Sequence, residues 1–316
     1  MRATLATILS TLAGLVLVAA SIRYIHPLWV TAIIDSLMTY ATATAALVAL
    51  IAYGLARRPA NLVLAALGIG LAAHSVVMLQ AFAISPTATE RMGEAKLRVL
   101  SFNMLYTNVE NATAITNRIL SSNADVAVIL EGAPMFMQLS RLDKAYPYRM
   151  GCGAMTPTCD LIVFSRLPFR DAQVSHLSDL RPDRFMSATV AVDGLPVRVV
   201  AAHLSKPYFD DYHEKELLTL RTLIGKDRGP LVLAGDFNSA TIAPDMQAML
   251  SALDLNTASP EPPTWPTALA EHGFGIAIDH LYSRLPLVPL SVKRLEDPFG
   301  SNHYGLFGNY AIRQTD

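Results

Sequence analysis

Charged residues are almost missing from the first 89 positions of this chain. That stretch contains Arg2, Arg23, Arg57 and Arg58 as its cations and Asp35 as its acid. About a quarter of the residues in an ordinary soluble domain are charged. The composition therefore argues against an ordinary soluble domain at the front of the chain, for which the alternative would be a set of fully buried helices.

An excess of positive charge is missing from the remainder. Positions 90–316 hold 21 basic and 25 acidic residues, a net charge of −4. Proteins that bind duplex nucleic acid tightly and without sequence preference carry a basic surface that neutralises phosphates. We therefore expect no stable nucleic-acid partner for this chain.

Cysteine is scarce as well, since the chain has two, Cys152 and Cys159. Two cysteines alone do not close a zinc site, and no Cys/His cluster has the spacing of one. The sequence also contains no repeat array and no low-complexity tract. These absences exclude a zinc-stabilised module and a repeat protein.

Three long apolar runs fill the front of the chain, at 4–22, 28–53 and 61–84. Each is close to the ~20 residues that a helix needs to cross a bilayer. A cleaved signal peptide would account for the first run but not for the other two. The sequence predicts a membrane domain of three transmembrane helices over 1–84, with the lipid bilayer as its partner. A linker over 85–95 and a soluble domain over 96–316 follow.

The arginines predict how these helices are oriented. Arg57 and Arg58 form the clearest charged loop, and the positive-inside rule places them in the cytoplasm together with Arg2. Three spans then carry the soluble domain to the extracytoplasmic side of the inner membrane. Because disulfides persist in oxidising compartments, we predict a bond between Cys152 and Cys159. The alternative is a pair of free thiols in a cytosolic loop.

The most informative stretch of the soluble domain is a short apolar strand over 231–234 that ends in Gly235-Asp236-Phe237-Asn238. Asp236 and Asn238 share one side if the chain stays extended. A carboxylate and an amide placed there suit the binding of a water molecule or of a hard cation. The structural alternative is a capped turn, because Asp and Asn favour turns in any case.

Polar residues mark the ends of other predicted strands in the same way. Apolar strands are predicted over 97–102, 125–130, 160–164, 197–202 and 276–278, and helices over 110–122 and 212–224. Ligand sites in α/β sheets form where strand ends meet at one rim, so we expect the polar residues at these ends to converge. They are Asn103, Glu131, His203, Asp236, Asn238, Asp279 and, before the last apolar stretch, His303.

Taken in order, these motifs resemble the endonuclease/exonuclease/phosphatase superfamily. That superfamily includes exonuclease III-like and DNase I-like nucleases, neutral sphingomyelinases and inositol polyphosphate 5-phosphatases. The resemblance covers about residues 96–312 and implies an α/β domain, a four-layer α/β/β/α sandwich of the DNase I-like type, with a divalent metal at its rim. The matching motifs are Ser101-Phe102-Asn103, Ile129-Leu130-Glu131, Ala202-His203-Leu204, Gly235-Asp236-Phe237-Asn238, Ile278-Asp279-His280 and Asn302-His303. Thr264-Trp265-Pro266 and Phe164-Ser165-Arg166-Leu167-Pro168 also occur in membrane-anchored bacterial members.

The resemblance implies a metal centre. Glu131 is the expected metal ligand, with a neutral oxygen from Asn103 beside it. Ligation by oxygen alone favours Mg²⁺ or Mn²⁺ over zinc. The motif before His303 departs from the family pattern, because Asn302 stands where an aspartate is usual. The loss of this negative charge near the metal is expected to weaken metal affinity, to favour another ion or to slow the reaction.

The resemblance also implies catalytic roles. Asp236 would accept a proton from the attacking water, and Asn238 would orient that water or the phosphate. His203 and His303 would face the phosphoryl oxygens as cationic donors or as a general acid. Asp279 completes the expected catalytic set. It would accept a hydrogen bond from the His303 ring and fix the tautomer of that ring.

Lys206 and Trp265 are the candidate substrate contacts. A lysine suits a phosphate, and an indole suits stacking on a base or contact with lipid. The alternatives are a solvated loop lysine and a half-buried packing tryptophan.

Two hypotheses for the function follow from the sequence. The first is a membrane-anchored, metal-dependent phosphoesterase acting on nucleic acid, a lipid headgroup or a small phosphate ester. The second is a membrane receptor or scaffold built on an inactive domain of the same fold, which the substitution at Asn302 favours. The sequence does not indicate an oligomeric state.

Overall fold

The computed structural model describes residues 1–225 and 227–314. The chain divides into two compact units. The first, which we call the membrane unit, comprises Met1–Phe82 together with Pro207–Asp211 and Ser239–Ala248. The second, the sheet unit, comprises the rest of the described residues.

The membrane unit is built on three long apolar helices, α1 (Arg2–Ser21), α3 (Met38–Ala56) and α4 (Pro59–Gln80), with a short α2 (Ala32–Ser36). By length and composition, the three long helices could each cross a membrane. At most 33% of each apolar stretch is buried inside the protein, which leaves large apolar surfaces of the kind that lipid covers.

Small residues allow α3 and α4 to approach closely. A Cβ atom at Gly68 would lie 2.9 Å from the Cβ of Ala46, so glycine is required at this contact. The turn between the helices uses Arg57, whose left-handed backbone (φ 45°) ends α3, and Pro59, whose fixed φ suits the first turn of α4.

The second apolar run of the sequence is not one helix, which corrects the prediction of a single span over 28–53. A 3₁₀ turn (Trp29–Thr31) and α2 precede the long helix that begins at Met38. Asp35 is buried here, accepts a hydrogen bond from Thr31 Oγ1 (3.0 Å) and pairs with Arg23 (3.7 Å). Because a buried charge is stable only with a partner, this pair accounts for Asp35 and assigns it a structural role.

The sheet unit contains two mixed sheets with the strand orders β10-β11-β1-β2-β4-β3 and β5-β6-β7-β8-β9. The strands are β1 (Leu97–Asn103), β2 (Val126–Leu130), β3 (Tyr148–Met150), β4 (Leu161–Ser165), β5 (Arg170–Ser175), β6 (Phe185–Val192), β7 (Leu195–His203), β8 (Leu231–Asp236), β9 (Asp279–Arg284), β10 (Leu287–Arg294) and β11 (Leu306–Ile312). The other helices of the chain are α5 (Ala88–Met92), α6 (Ala112–Ser121), α7 (Leu139–Ala145), α8 (Tyr212–Ile224), α9 (Pro244–Ala252) and α10 (Thr267–Ala270), with a 3₁₀ turn at Ala133–Gln138.

Alternation along the strands separates two apolar layers. In β1, Leu97 and Val99 pack into a core shared with the second sheet, whereas Leu100 and Phe102 pack into a cluster with α6 and α7. On the second sheet, Arg198 of β7 donates to the carbonyl of Ile224 at the end of α8 (2.7 Å). Helices therefore flank two facing sheets, as the four-layer prediction requires.

The predicted strand over 276–278 is misplaced by several residues. Strand β9 begins at Asp279, and Ile276 forms an isolated bridge with Trp265 instead. The apolar residues 276–278 belong to the loop before β9. In that loop the carbonyl of Ile278 accepts a hydrogen bond from the backbone N–H of Phe237 (2.8 Å). Asp279 therefore opens its strand, where the prediction had it following one.

Gly235 is required where β8 passes β7. A Cβ at this position would lie 1.8 Å from the carbonyl oxygen of Ala202, a backbone atom that has no room to move. We expect Gly235→Ala to lower the free energy of unfolding by about 3 kcal/mol or more, because overpacking is added to backbone strain.

Chemical denaturation of the detergent-solubilised chain measures this loss. Gly93→Ala is the matched control, because a Cβ there would make an ordinary contact of 3.4 Å. Equal stabilities of the two variants would contradict the steric argument.

Candidate active site

Strand register brings the predicted polar residues to one rim of the sheet unit. β7 and β8 run parallel with His203 opposite Asp236, and β9 runs antiparallel with Asp279 opposite Asp236. In the first sheet, Asn103 ends β1 opposite Leu130, the residue before Glu131. Strand ends thus supply Asn103, His203, Asp236 and Asp279, whereas Glu131, Asn238 and His303 lie in the adjoining loops.

The alternation of side chains aims most of these residues between the sheets. Val199 and Ala201 of β7, and Val232 and Ala234 of β8, belong to the core shared by both sheets. Counting on by two residues places His203 and Asp236 on the same inner face. The direction of these side chains is therefore a consequence of the apolar pattern of the strands.

Asp236 lies at the centre of the site. Its Oδ2 accepts a hydrogen bond from Asn103 Nδ2 (2.9 Å) and lies 3.8 Å from His303 Nδ1 and 4.0 Å from His203 Nε2. The same Asn103 nitrogen donates to Glu131 Oε1 (3.0 Å). One amide therefore links the predicted base to the predicted metal ligand.

His303 is held by Asp279, as the sequence predicts. Its Nδ1 lies 2.9 Å from Asp279 Oδ2, and both side chains are buried. Burial alone would lower the pKa of His303, but the charges of Asp279 and Asp236 outweigh this effect and raise the pKa to about 9. Without a bound metal, the ring is therefore a cation at neutral pH.

Left-handed backbone conformations aim two of the side chains. Glu131 has φ 52°, and its Oε2 accepts a hydrogen bond from the backbone N–H of Tyr106 (2.8 Å). Asn238 has φ 50°, so the chain does not stay extended after β8, which corrects that premise of the sequence analysis. The N–H of Asn238 donates to Asp236 Oδ1 (2.8 Å), which is the capped turn considered as the alternative. The turn also orients the Asp236 carboxylate.

Asp160 and Arg184 are part of the site and were missed by the sequence analysis. Asp160 Oδ2 accepts from His203 Nδ1 (2.9 Å) and pairs with Arg184 Nε (2.8 Å). Burial raises the pKa of Asp160, but the hydrogen bonds and charges of His203 and Arg184 outweigh it and hold this pKa well below its usual range. The sequence does contain a pattern that could have identified Asp160, because this acid directly precedes an apolar strand, much as Glu131 directly follows one.

Two hydroxyl groups, also missed, fix the loops around His303. Ser301 Oγ donates to the carbonyl of Asn103 (2.7 Å) and accepts from the backbone N–H of His303 (3.1 Å). Thr264 Oγ1 accepts from the backbone N–H of Asp279 (3.2 Å). The Ser301 bond ties the His303 loop to the end of β1, and the Thr264 bond fixes the start of β9.

The two candidate substrate contacts lie on the adjoining loops. Lys206 is exposed, three residues beyond His203. Trp265 is 37% exposed and follows Thr264. Asn302, at the departure from the family pattern, is exposed between two buried neighbours.

The donor set fits a hard divalent cation. Asp236, Asp279 and His303 each offer a ligand atom within 4.8 Å of the others, and all three are buried. Within the described part of the chain, Asp279 Oδ1 is buried and has no hydrogen-bond partner. A buried carboxylate oxygen without a donor is the kind of atom that a cation satisfies. Glu131 lies nearby, because the Asn103 amide donates both to it and to Asp236.

Buried carboxylates beside two oriented imidazoles, at the rim of two facing sheets, are groups that phosphoester hydrolysis uses for proton transfer and charge stabilisation. A family model described as "Endonuclease/Exonuclease/phosphatase family" matches residues 100–303. The chain belongs to this family, and its sheet unit has the DNase I-like fold. The resemblance stated from the motifs is confirmed.

Solved structures agree on the fold. An endonuclease/exonuclease/phosphatase from Beutenbergia cavernae is 22% identical, with a TM-score of 0.55 and coverage of 69% of this chain and 72% of its own. A family protein from Leptotrichia buccalis is 15% identical, with a TM-score of 0.54 and coverage of 68% and 100%. Beta toxin from Staphylococcus aureus with bound magnesium ions is 16% identical, with a TM-score of 0.51 and coverage of 67% and 99%. A search of curated proteins returned no match.

Proposed function

We propose that this chain is a membrane-anchored, Mg²⁺- or Mn²⁺-dependent phosphoesterase that hydrolyses a phosphodiester or phosphomonoester by metal-assisted attack of water. The observation that carries the proposal is the hydrogen-bonded set Glu131–Asn103–Asp236 beside the Asp279–His303 pair. The structure of a beta toxin double mutant, which shares the fold, contains bound magnesium ions, and this supports the choice of metal.

Each residue has a chemical task in this reaction. Asp236 accepts the proton of the attacking water, and its Oδ1 is fixed for this by the N–H of Asn238. His303, held by Asp279, faces the developing charge on the phosphoryl oxygens as a cationic donor or as a general acid. His203, held by Asp160, donates to the phosphate from the other side of Asp236.

Glu131, Asp236 and Asp279 would hold the metal. Asn103 is not placed as the oxygen ligand that the sequence analysis expects, because its Nδ2 donates to Glu131 and Asp236 while its Oδ1 accepts from the N–H of Leu105 (3.1 Å). When bound, Mg²⁺ or Mn²⁺ polarises a phosphoryl oxygen and offsets the negative charge of the phosphate. Lys206 and Trp265 remain proposals for substrate contact.

A substrate screen tests the proposal. The purified full-length chain is assayed with Mg²⁺ or Mn²⁺ against DNA, RNA, phospholipid vesicles and sugar phosphates, with EDTA as the control. We expect metal-dependent turnover that is concentrated in one of these classes. Turnover in none of them would favour the receptor or scaffold, the alternative that Asn302 suggests.

We also propose that the sheet unit lies outside the cytoplasm. The arginines of the Arg57-Arg58 turn support this orientation through the positive-inside rule, and the disulfide supports it through the redox compartment. A fusion of alkaline phosphatase to the C-terminus is expected to be active, and a green fluorescent protein fusion dark. The opposite pair of results would place the unit in the cytoplasm.

A further inference from the structure

A disulfide joins Cys152 and Cys159, which confirms the pairing predicted from the sequence. The bond closes a small hairpin in which the N–H of Cys152 donates to the carbonyl of Thr158 (2.6 Å) and the N–H of Gly153 to that of Thr156 (2.8 Å). Cys152 is buried in the apolar cluster beneath α6 and α7, and Cys159 packs against the same cluster. The hairpin is therefore fixed to the core of the first sheet.

The residue directly after Cys159 is Asp160, which contacts both sides of the site. Its carboxylate binds His203 and Arg184. Its backbone carbonyl accepts from the N–H of Gly132 (3.4 Å), the residue after Glu131. A Cβ at Gly132 would lie 3.1 Å from the carbonyl of Cys159, so the two backbones pass closely here.

A second tether starts from the same hairpin. Asp183 Oδ2 accepts hydrogen bonds from Thr156 Oγ1 and from Thr158 Oγ1 (3.0 Å). Asp183 directly precedes Arg184, the cation that pairs with Asp160. The hairpin thus holds Asp160 through its chain neighbour Cys159, and it holds Arg184 through its chain neighbour Asp183.

We propose that the Cys152–Cys159 disulfide, together with the Asp183 tether, is a positioning element that holds Asp160 against His203. This proposal rests on the proposed function only for its effect on turnover. Opening the disulfide frees Cys159 from Cys152 and lets Asp160 move relative to the imidazole. Hydrogen-bond partners that orient the ligands of a metal site typically contribute about 10–100-fold to activity, and we expect the lower end of this range for a partner of His203.

Kinetics of the reduced full-length chain test this role. After reduction with a phosphine and confirmation of two free thiols, kcat is expected to fall about 10-fold while KM changes less than about 2-fold. Removal of the reductant and reoxidation restore kcat. Near-ultraviolet circular dichroism verifies that the assay temperature lies below the unfolding transition.

Two variants make the test specific. Cys152→Ala with Cys159→Val keeps apolar packing without the bond, so it is expected to show the low kcat and no response to reductant. These are the two cysteines of the chain, so the reductant has no other disulfide to open. Thr158→Val weakens the second tether while leaving the bond intact and is expected to lower kcat by a smaller factor.

The hydrogen bond itself gives a readout that does not depend on turnover. Proton NMR of histidine-labelled protein follows the Nδ1–H of His203, assigned by its loss in His203→Ala. Reduction is expected to shift this resonance and to speed its exchange with solvent. An unchanged resonance, or an unchanged kcat in folded, reduced protein, would overturn the proposal. If the wild-type chain shows no turnover, only the proposed function is contradicted. The response of the His203 Nδ1–H resonance to reduction then tests the positioning role of the disulfide by itself.

Discussion

Asp236→Asn is expected to lower kcat by about 10²–10⁴-fold, the range that general-base catalysis contributes. Asparagine has nearly the same volume, so the buried position stays filled. Its amide accepts no proton from water and offers less charge to a cation. The hydrogen bonds from Asn103 and Asn238 also require an acceptor at this position, and an amide has a single oxygen for both.

His303→Ala is expected to produce a loss of similar size, because it removes the cation that faces the phosphate and leaves Asp279 unpaired. Asp254→Asn is the matched control, because Asp254 is an exposed acid paired with Arg228 (3.3 Å). Steady-state kinetics on the substrate found in the screen, with melting curves for folding, compare the three variants. A kcat near that of the wild type in either site variant would remove that residue from the mechanism.

Glu131→Gln is expected to weaken the affinity for Mg²⁺ or Mn²⁺ by about 10–100-fold, since a hard cation needs anionic oxygen ligands. Glutamine has a single oxygen, so it keeps one of the two hydrogen bonds that Glu131 accepts from Asn103 and from the Tyr106 N–H, and melting curves check that the variant is folded. Asn302→Asp is expected to act in the opposite direction, because it restores a negative charge beside His303.

Isothermal titration calorimetry of the metal measures both changes, and the metal dependence of kcat provides a second measurement. Glu94→Gln, an exposed acid, is the matched control. If the wild-type chain binds no divalent cation at millimolar concentration, the metal assignment is wrong.

The sequence determined the existence of three long apolar helices, most of the central strands and the types of the residues at the rim. Those features are local: apolar runs of ~20 residues specify spanning helices, and four or five apolar residues specify a buried strand. Helix α8 occupies the predicted 212–224, and β8 begins at the predicted 231. The disulfide followed from two cysteines and the expected compartment.

The tertiary structure alone decided how the site residues meet. Asp160 reaches His203 across 43 positions and Asn103 reaches Asp236 across 133, and neither partner is encoded in nearby residues. The left-handed turns at Glu131 and Asn238 re-aim side chains that strand alternation would point elsewhere. Packing of the two sheets sets these directions, because burial of the inner faces fixes the register and the register fixes which strand ends are neighbours. A single sequence therefore specifies which groups lie at the rim, and the folded sheets specify which carboxylate holds which imidazole.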